Sequence, residues 1–91
     1  MQYSENYSMF AKRFADYDVD ELVQSFNREI GCNGWSSMRA IHDSALIDEF
    51  KRRGIDYSVI CNGEFISFTH PVMFDKAKNK LLLVVPIKKS L

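Results

Sequence analysis

The chain lacks the usual markers of a defined chemistry. It has two cysteines, Cys32 and Cys61, among 91 residues. Two isolated thiols do not build a disulfide scaffold, and they fit a reduced, cytosolic setting. It lacks net charge, because 12 basic and 12 acidic side chains cancel. No global field then draws it to DNA or to an anionic membrane, and such binding needs a local patch. Long apolar runs are missing too. The longest, 81–85, falls far short of the roughly 20 residues of a membrane-spanning helix. No basic start leads into an apolar stretch with a small-residue cleavage site, so no secretory leader is expected. The one glycine-rich segment, 31–34, has neither the spacing of a phosphate loop nor a strand before it. There is no internal repeat, low-complexity segment or linker. These absences predict a soluble, cytoplasmic, single-domain protein over 1–91.

What is present is apolar and patterned. Hydrophobic residues make up 46% and aromatics 13%, enough for a packed core. Tyr3, Tyr7, Phe10, Phe14 and Tyr17 recur every three or four positions, which predicts a helix over 4–16. Such an aromatic stripe is read first as core, and its tyrosines also suit the margin of a partner surface. Asp18 and Glu21 have capping-box spacing before the stripe Val19, Leu22, Val23, Phe26, Ile30, and Gly31 supplies the stop of a second helix. Ser36 or Ser37 opens a third helix that Gly54 closes. Its apolar residues spread over two sides, with Met38, Ile41 and Ala45 on one and Leu46, Ile47 and Phe50 on the other. A helix apolar on two sides is covered on two sides. Lys51, Arg52 and Arg53 sit where the helix dipole favours cations.

Alternation then replaces the helical period. Ile55, Tyr57, Val59 and Cys61 alternate with polar residues, Asn62-Gly63 suits a type I′ turn, and Ile66 and Phe68 continue in a second strand. Pro71 marks an edge or end. Residues 72–74 resume extended structure, 75–79 form a polar turn, and 80–87 form a third strand. Its run 81–85 does not alternate, so both of its faces should be buried. The expected fold is α+β: three N-terminal helices on a small, mainly antiparallel, three-stranded C-terminal sheet. The expected core is Phe10, Phe14, Leu22, Phe26, Ile30, Ile41, Ala45, Val59, Ile66, Leu83 and Val85.

Chemistry is thinly represented. Cys32, His42, Cys61 and His70 stand 10, 19 and 9 residues apart, without the close pairs of a zinc site. His42 has an acidic neighbour, Asp43, but adjacent helical residues do not face each other. Cys61 with His70 is the only nucleophile–base pairing to name, and it requires a shifted strand register. The carboxylates of Asp16, Asp18, Asp20, Asp48 and Glu49 read as caps and solvated faces. No catalytic residue, metal, cofactor or small-molecule substrate is expected.

Helix, turn, helix and hairpin over 19–69, with the segment 50–55 leading into the hairpin, resemble in outline a winged helix-turn-helix. That resemblance implies DNA contact by Ser36, Ser37, Arg39 and His42 at the start of the third helix. The wing tip Asn62-Gly63-Glu64 is not basic, and Asp43, Asp48 and Glu49 lie on the same helix, so this stands second. Lysines 76, 78, 80, 88 and 89 beside the third strand read as protection against edge pairing. The leading expectation is a small non-enzymatic interaction module. It binds a second copy of itself or another protein through the apolar strand, with Leu82, Val84, Tyr3, Tyr7 and Ile47 at the contact.

Overall fold

The computed structural model describes residues 2–31, 36–61 and 66–84. Its elements are α1 (Gln2–Ala15), α2 (Val19–Asn27), α3 (Ser37–Arg52), β1 (Val72–Asp75) and β2 (Lys80–Leu83). This is an α+β arrangement of three helices and one antiparallel hairpin.

Local chemistry sets the helix ends. The Asp18 carboxylate accepts from the Glu21 N–H at 2.8 Å, and Glu21 accepts from the Asp18 N–H at 2.9 Å, a complete capping box. Ser36 caps α3 by accepting from the Arg39 N–H at 3.1 Å. Gly54, directly after the α3 C-cap Arg53, takes φ of 71°, the left-handed conformation that ends a helix at least strain in glycine, and Gly31 takes φ of 75° at the end of the turn that follows α2. α2 stops at Asn27, and residues 28–31 form a turn rather than its last helical turn.

α1 packs along α3, and α2 meets both α3 and β1. The core holds Phe10, Phe14, Leu22, Phe26, Ile41 and Ala45 as expected, and also Val23, Leu46, Phe50, Ile55, Ile60, Val72 and Leu81. Asn27 latches α2 to β1. Its side-chain amide donates to the Val72 carbonyl at 3.0 Å and accepts from the Val72 N–H at 2.8 Å, as a neighbouring strand would.

The sheet is smaller than the alternation predicted. Asp56 accepts from the Ser58 N–H at 2.9 Å, and Ile60 N–H bonds the Tyr57 carbonyl. That Asx turn coils the chain where a strand over 55–61 was expected. Ile60, out of phase with the alternation, is the residue at 1% exposure, while Val59 is only partly buried. Among the described residues the expected second strand shows one bridge, Cys61–Ile66, and the Asn62-Gly63 turn lies outside the described residues. The three strands and the winged-helix outline are therefore not confirmed.

The strand over 72–74 forms as β1, and the polar turn follows it. Asp75 accepts from the Ala77 and Lys78 N–H groups, and Asn79 closes the turn at φ 52°. The Asn79 amide also donates to the Gly54 carbonyl at 2.8 Å, tying the hairpin to the end of α3. Residues 85–87 of the expected third strand, with Val85, lie outside the described residues. Within β2, Leu81 is fully buried, whereas Leu83 is 42% exposed and does not join the core. Among the described residues of the run, Leu81 is buried, Leu82 half-buried, and Leu83 and Val84 exposed, so burial on both faces is not shown.

Candidate functional site

Where α2 turns back toward α3, four polar side chains meet. Glu29, in the turn after α2, reaches Arg39, one turn into α3. Arg39 Nε donates to Glu29 Oε1 at 3.0 Å, and a second guanidinium nitrogen donates to the Glu29 carbonyl at 3.2 Å. The guanidinium lies 5.0 Å over the Phe68 ring, which itself stacks on Phe26. Its plane is thus fixed by an aromatic face as well as by hydrogen bonds.

His42 and Asp43 complete the group. His42 Nδ1 is 3.1 Å from Asp43 Oδ1 and 3.6 Å from Glu29 Oε2. The imidazole edge packs against Phe10 and Phe14, each with centroids 5.1 Å away, which holds the ring in place. The expectation that helical neighbours cannot meet fails here. Both side chains lean toward the α2 exit turn, and Glu29 sits between their directions. Asp43 is 2% exposed.

The electrostatics are unbalanced. Two carboxylates share one arginine, and Glu29 Oε2 and Asp43 Oδ2 are buried without a hydrogen-bond partner. Burial first, then the neighbouring Asp43, pushes the Glu29 carboxyl up to about 8, and Arg39 only partly offsets this. A Glu29 carboxyl that keeps its proton in this way can turn it toward the facing Asp43.

Beside the group opens a pocket of about 420 Å³. Phe10, Phe14 and Tyr17 of the α1 end, with Met38, Arg28 and His42, form its wall. Its character is aromatic with a basic rim.

The other named residues are dispersed. Ser36 is the α3 cap, and Ser37 is exposed beside it. The Tyr7 hydroxyl donates to the Asp48 carboxylate, so Tyr7 joins α1 to α3. Ile47 packs against the core, and Leu82 is half-buried. The Tyr3 side chain and Cys32 lie outside the described residues. Cys61 is a half-buried free thiol, and His70 Nδ1 is 3.1 Å from the Thr69 hydroxyl. Thus of the four residues assigned to DNA contact, Arg39 and His42 are turned onto acids.

Glu29 was not singled out by the sequence reading, which carried the second helix on to Gly31; α2 ends at Asn27 instead, and in the turn that follows helical phase does not give the direction of Glu29. Asp43 carried a readable signal. It falls in phase with Leu46 and Phe50 on α3, and a charge inside an apolar stripe is either a fault or a site.

No family model, curated protein or solved structure matches this chain. Among the described residues, no helix is long and apolar enough to cross a membrane.

Proposed function

We propose that the protein is a small non-enzymatic interaction module that pairs with a second copy of itself through the β1–β2 hairpin. The supporting observation is the apolar surface of that hairpin. On one face Met73 is 52% exposed, and Val84, just past β2, is 42% exposed; Leu83, 42% exposed, stands on the other face opposite Val72. Met73 stands opposite Leu82 in the register, and Asp75 stands opposite Lys80 on the same face. One acid, one base and two apolar side chains make a face suited to its own copy, as a two-fold interface requires. Zero net charge removes the general repulsion that keeps copies apart.

The DNA-binding alternative draws no support from the geometry. Arg39 is paired with Glu29, and His42 faces Glu29 and Asp43. A basic surface at the start of α3 would require these pairs to break.

Light scattering of the purified chain at low and high salt, with and without duplex DNA, tests the proposal. The expected result is a dimer indifferent to salt and DNA, which Val84→Lys or Met73→Lys converts to a folded monomer. A monomer at 100 µM on the order of typical assay concentrations, or a dimer untouched by both substitutions, removes the proposal. Mass gained on DNA at low salt and lost at high salt favours the alternative.

A further inference from the structure

The polar centre at the α2–α3 junction is chemically unfinished. A buried carboxylate oxygen without a donor has given up its hydration and gained no partner in return. Here two such oxygens face inward together, Glu29 Oε2 and Asp43 Oδ2. Arg39 does not complete them. Its Nε bonds Glu29 Oε1 but stands 3.8 Å from Asp43 Oδ2, beyond hydrogen-bond reach. His42 Nδ1 faces the same two carboxyl groups, at Glu29 Oε2 and at Asp43 Oδ1. One nitrogen of His42 and one oxygen from each carboxylate all lie within 4.8 Å of one another.

We infer that Glu29, His42 and Asp43 form a binding site for a divalent transition-metal ion of the zinc class. Imidazole nitrogen with carboxylate oxygen is the donor set such ions take. Around an ion with bonds near 2.0–2.1 Å, tetrahedral ligand atoms stand roughly 3.3 Å apart. The His42 nitrogen already lies 3.1 Å from Asp43 Oδ1 and 3.6 Å from Glu29 Oε2. Small side-chain rotations close the set. Arg39 then takes a supporting part, because it engages Glu29 Oε1 and leaves Oε2 for the ion. Outer hydrogen bonds of this kind orient ligating carboxylates. The Phe10 and Phe14 rings fix the imidazole plane. Three protein ligands leave the fourth position to water, next to the pocket that His42 lines.

The ion would join the turn after α2 to α3, so it should act as a clamp between them. Binding to the folded chain alone raises stability in proportion to the logarithm of ion concentration. A shared proton is the rival occupant, and metal uptake must displace it.

The test uses the full chain stripped by chelator, then titrated with Zn²⁺ by calorimetry and with Co²⁺ by visible absorption. The expected result is one ion per chain, Co²⁺ bands of a low-symmetry site, and a raised melting temperature. Glu29→Gln and His42→Ala should each weaken binding at least tenfold. Glu29→Gln keeps size and removes charge, so it separates ligand loss from misfolding, which far-UV circular dichroism checks. Cys61→Ser and His70→Ala should leave affinity unchanged. Uptake that survives Glu29→Gln and His42→Ala, or that follows Cys61 or His70 instead, overturns the inference. So does absence of uptake at millimolar Zn²⁺, which leaves the proton as the only occupant.

Discussion

The two ends of α3 solve the same problem in opposite ways. Each buries a glutamate against the helix: Glu49 at 5% exposure near its C-terminus, and Glu29 at 13% beside its N-terminal half. At the C-terminal end one carboxylate meets two guanidinium groups, Arg52 and Arg53. The Arg52 hydrogen bond, seconded by Arg53, overcomes burial and holds the Glu49 carboxyl below its ordinary range. At the other end two carboxylates meet one guanidinium, and burial wins. Position on a helix does not decide the outcome. The local count of charges does, and an end left short of cations has room for another.

The largest expected effect lies at the completed end. Arg53 reaches beyond Glu49 to the end of α1. It donates to the carbonyls of Phe14 at 3.0 Å, Ala15 at 3.4 Å and Tyr17 at 2.6 Å. Phe14 also accepts from the Tyr17 N–H at 3.1 Å, and Arg53, the C-cap residue of α3, adds a side-chain cap to the end of α1. Arg53→Ala removes the cap and one partner of a buried acid. Urea denaturation should show a loss of about 3 kcal/mol. A loss no larger than that of an exposed arginine would mean that water serves these carbonyls equally well.

Beside the unfinished end, the Asn27 latch should carry the next effect. Asn27→Ala strands both polar groups of the Val72 peptide, on a residue 2% exposed. The expected loss is about 2 kcal/mol for two hydrogen bonds. Asn27→Asp keeps the acceptor and loses the donor, so its loss should be smaller.

pH separates the two ends directly. Glu49 is depressed in the folded chain. Its contribution is present above the ordinary glutamate range and is lost as pH falls below it. Glu29 is raised to about 8. Its protonated form stabilises the fold fully below the ordinary value near 4.5, and that stability is lost as pH rises toward 8. Metal-free protein should therefore be most stable near pH 5, with denaturation midpoints falling on both sides. Glu29→Gln should flatten the alkaline limb and leave the acid limb alone. An alkaline limb unchanged by Glu29→Gln would show that Glu29 ionises freely.

Much of the helical half was legible. The Asp18 capping box, the Ser36 cap and the Gly54 stop are local chemistry, and residues within three or four positions determine them, whereas α2 ends at Asn27, short of the expected Gly31 stop. The strand over 55–61 was misread because alternation is a weak signal beside a local competitor. Asp56 can bond Ser58 N–H, and that turn outranks the pairing that Tyr57 and Val59 suggest. Leu81 rather than Leu83 enters the core because Asp56 bonds its N–H at 2.8 Å and sets where β2 meets the body. The polar centre was half visible. Asp43 is in phase with core residues of α3, whereas Glu29 comes from a turn whose direction no period encodes.

The smallest expected effect sharpens the comparison most. Arg52 and Arg53 both bond Glu49, and by pairing alone they look equivalent. Their surroundings differ. The Arg52 side chain is 62% exposed, that of Arg53 is 19% exposed, and only Arg53 has the α1 carbonyls. Water and salt screen an exposed pair, and ordering a long side chain opposes it. Arg52→Ala should therefore lower the denaturation midpoint by much less than Arg53→Ala, and high salt should erase most of what remains. Arg53→Ala should keep its effect in that salt, because its partners are shielded. If the two substitutions prove equal, charge count alone governs the C-terminal end. If they differ as expected, the cap on α1 is what makes that end complete.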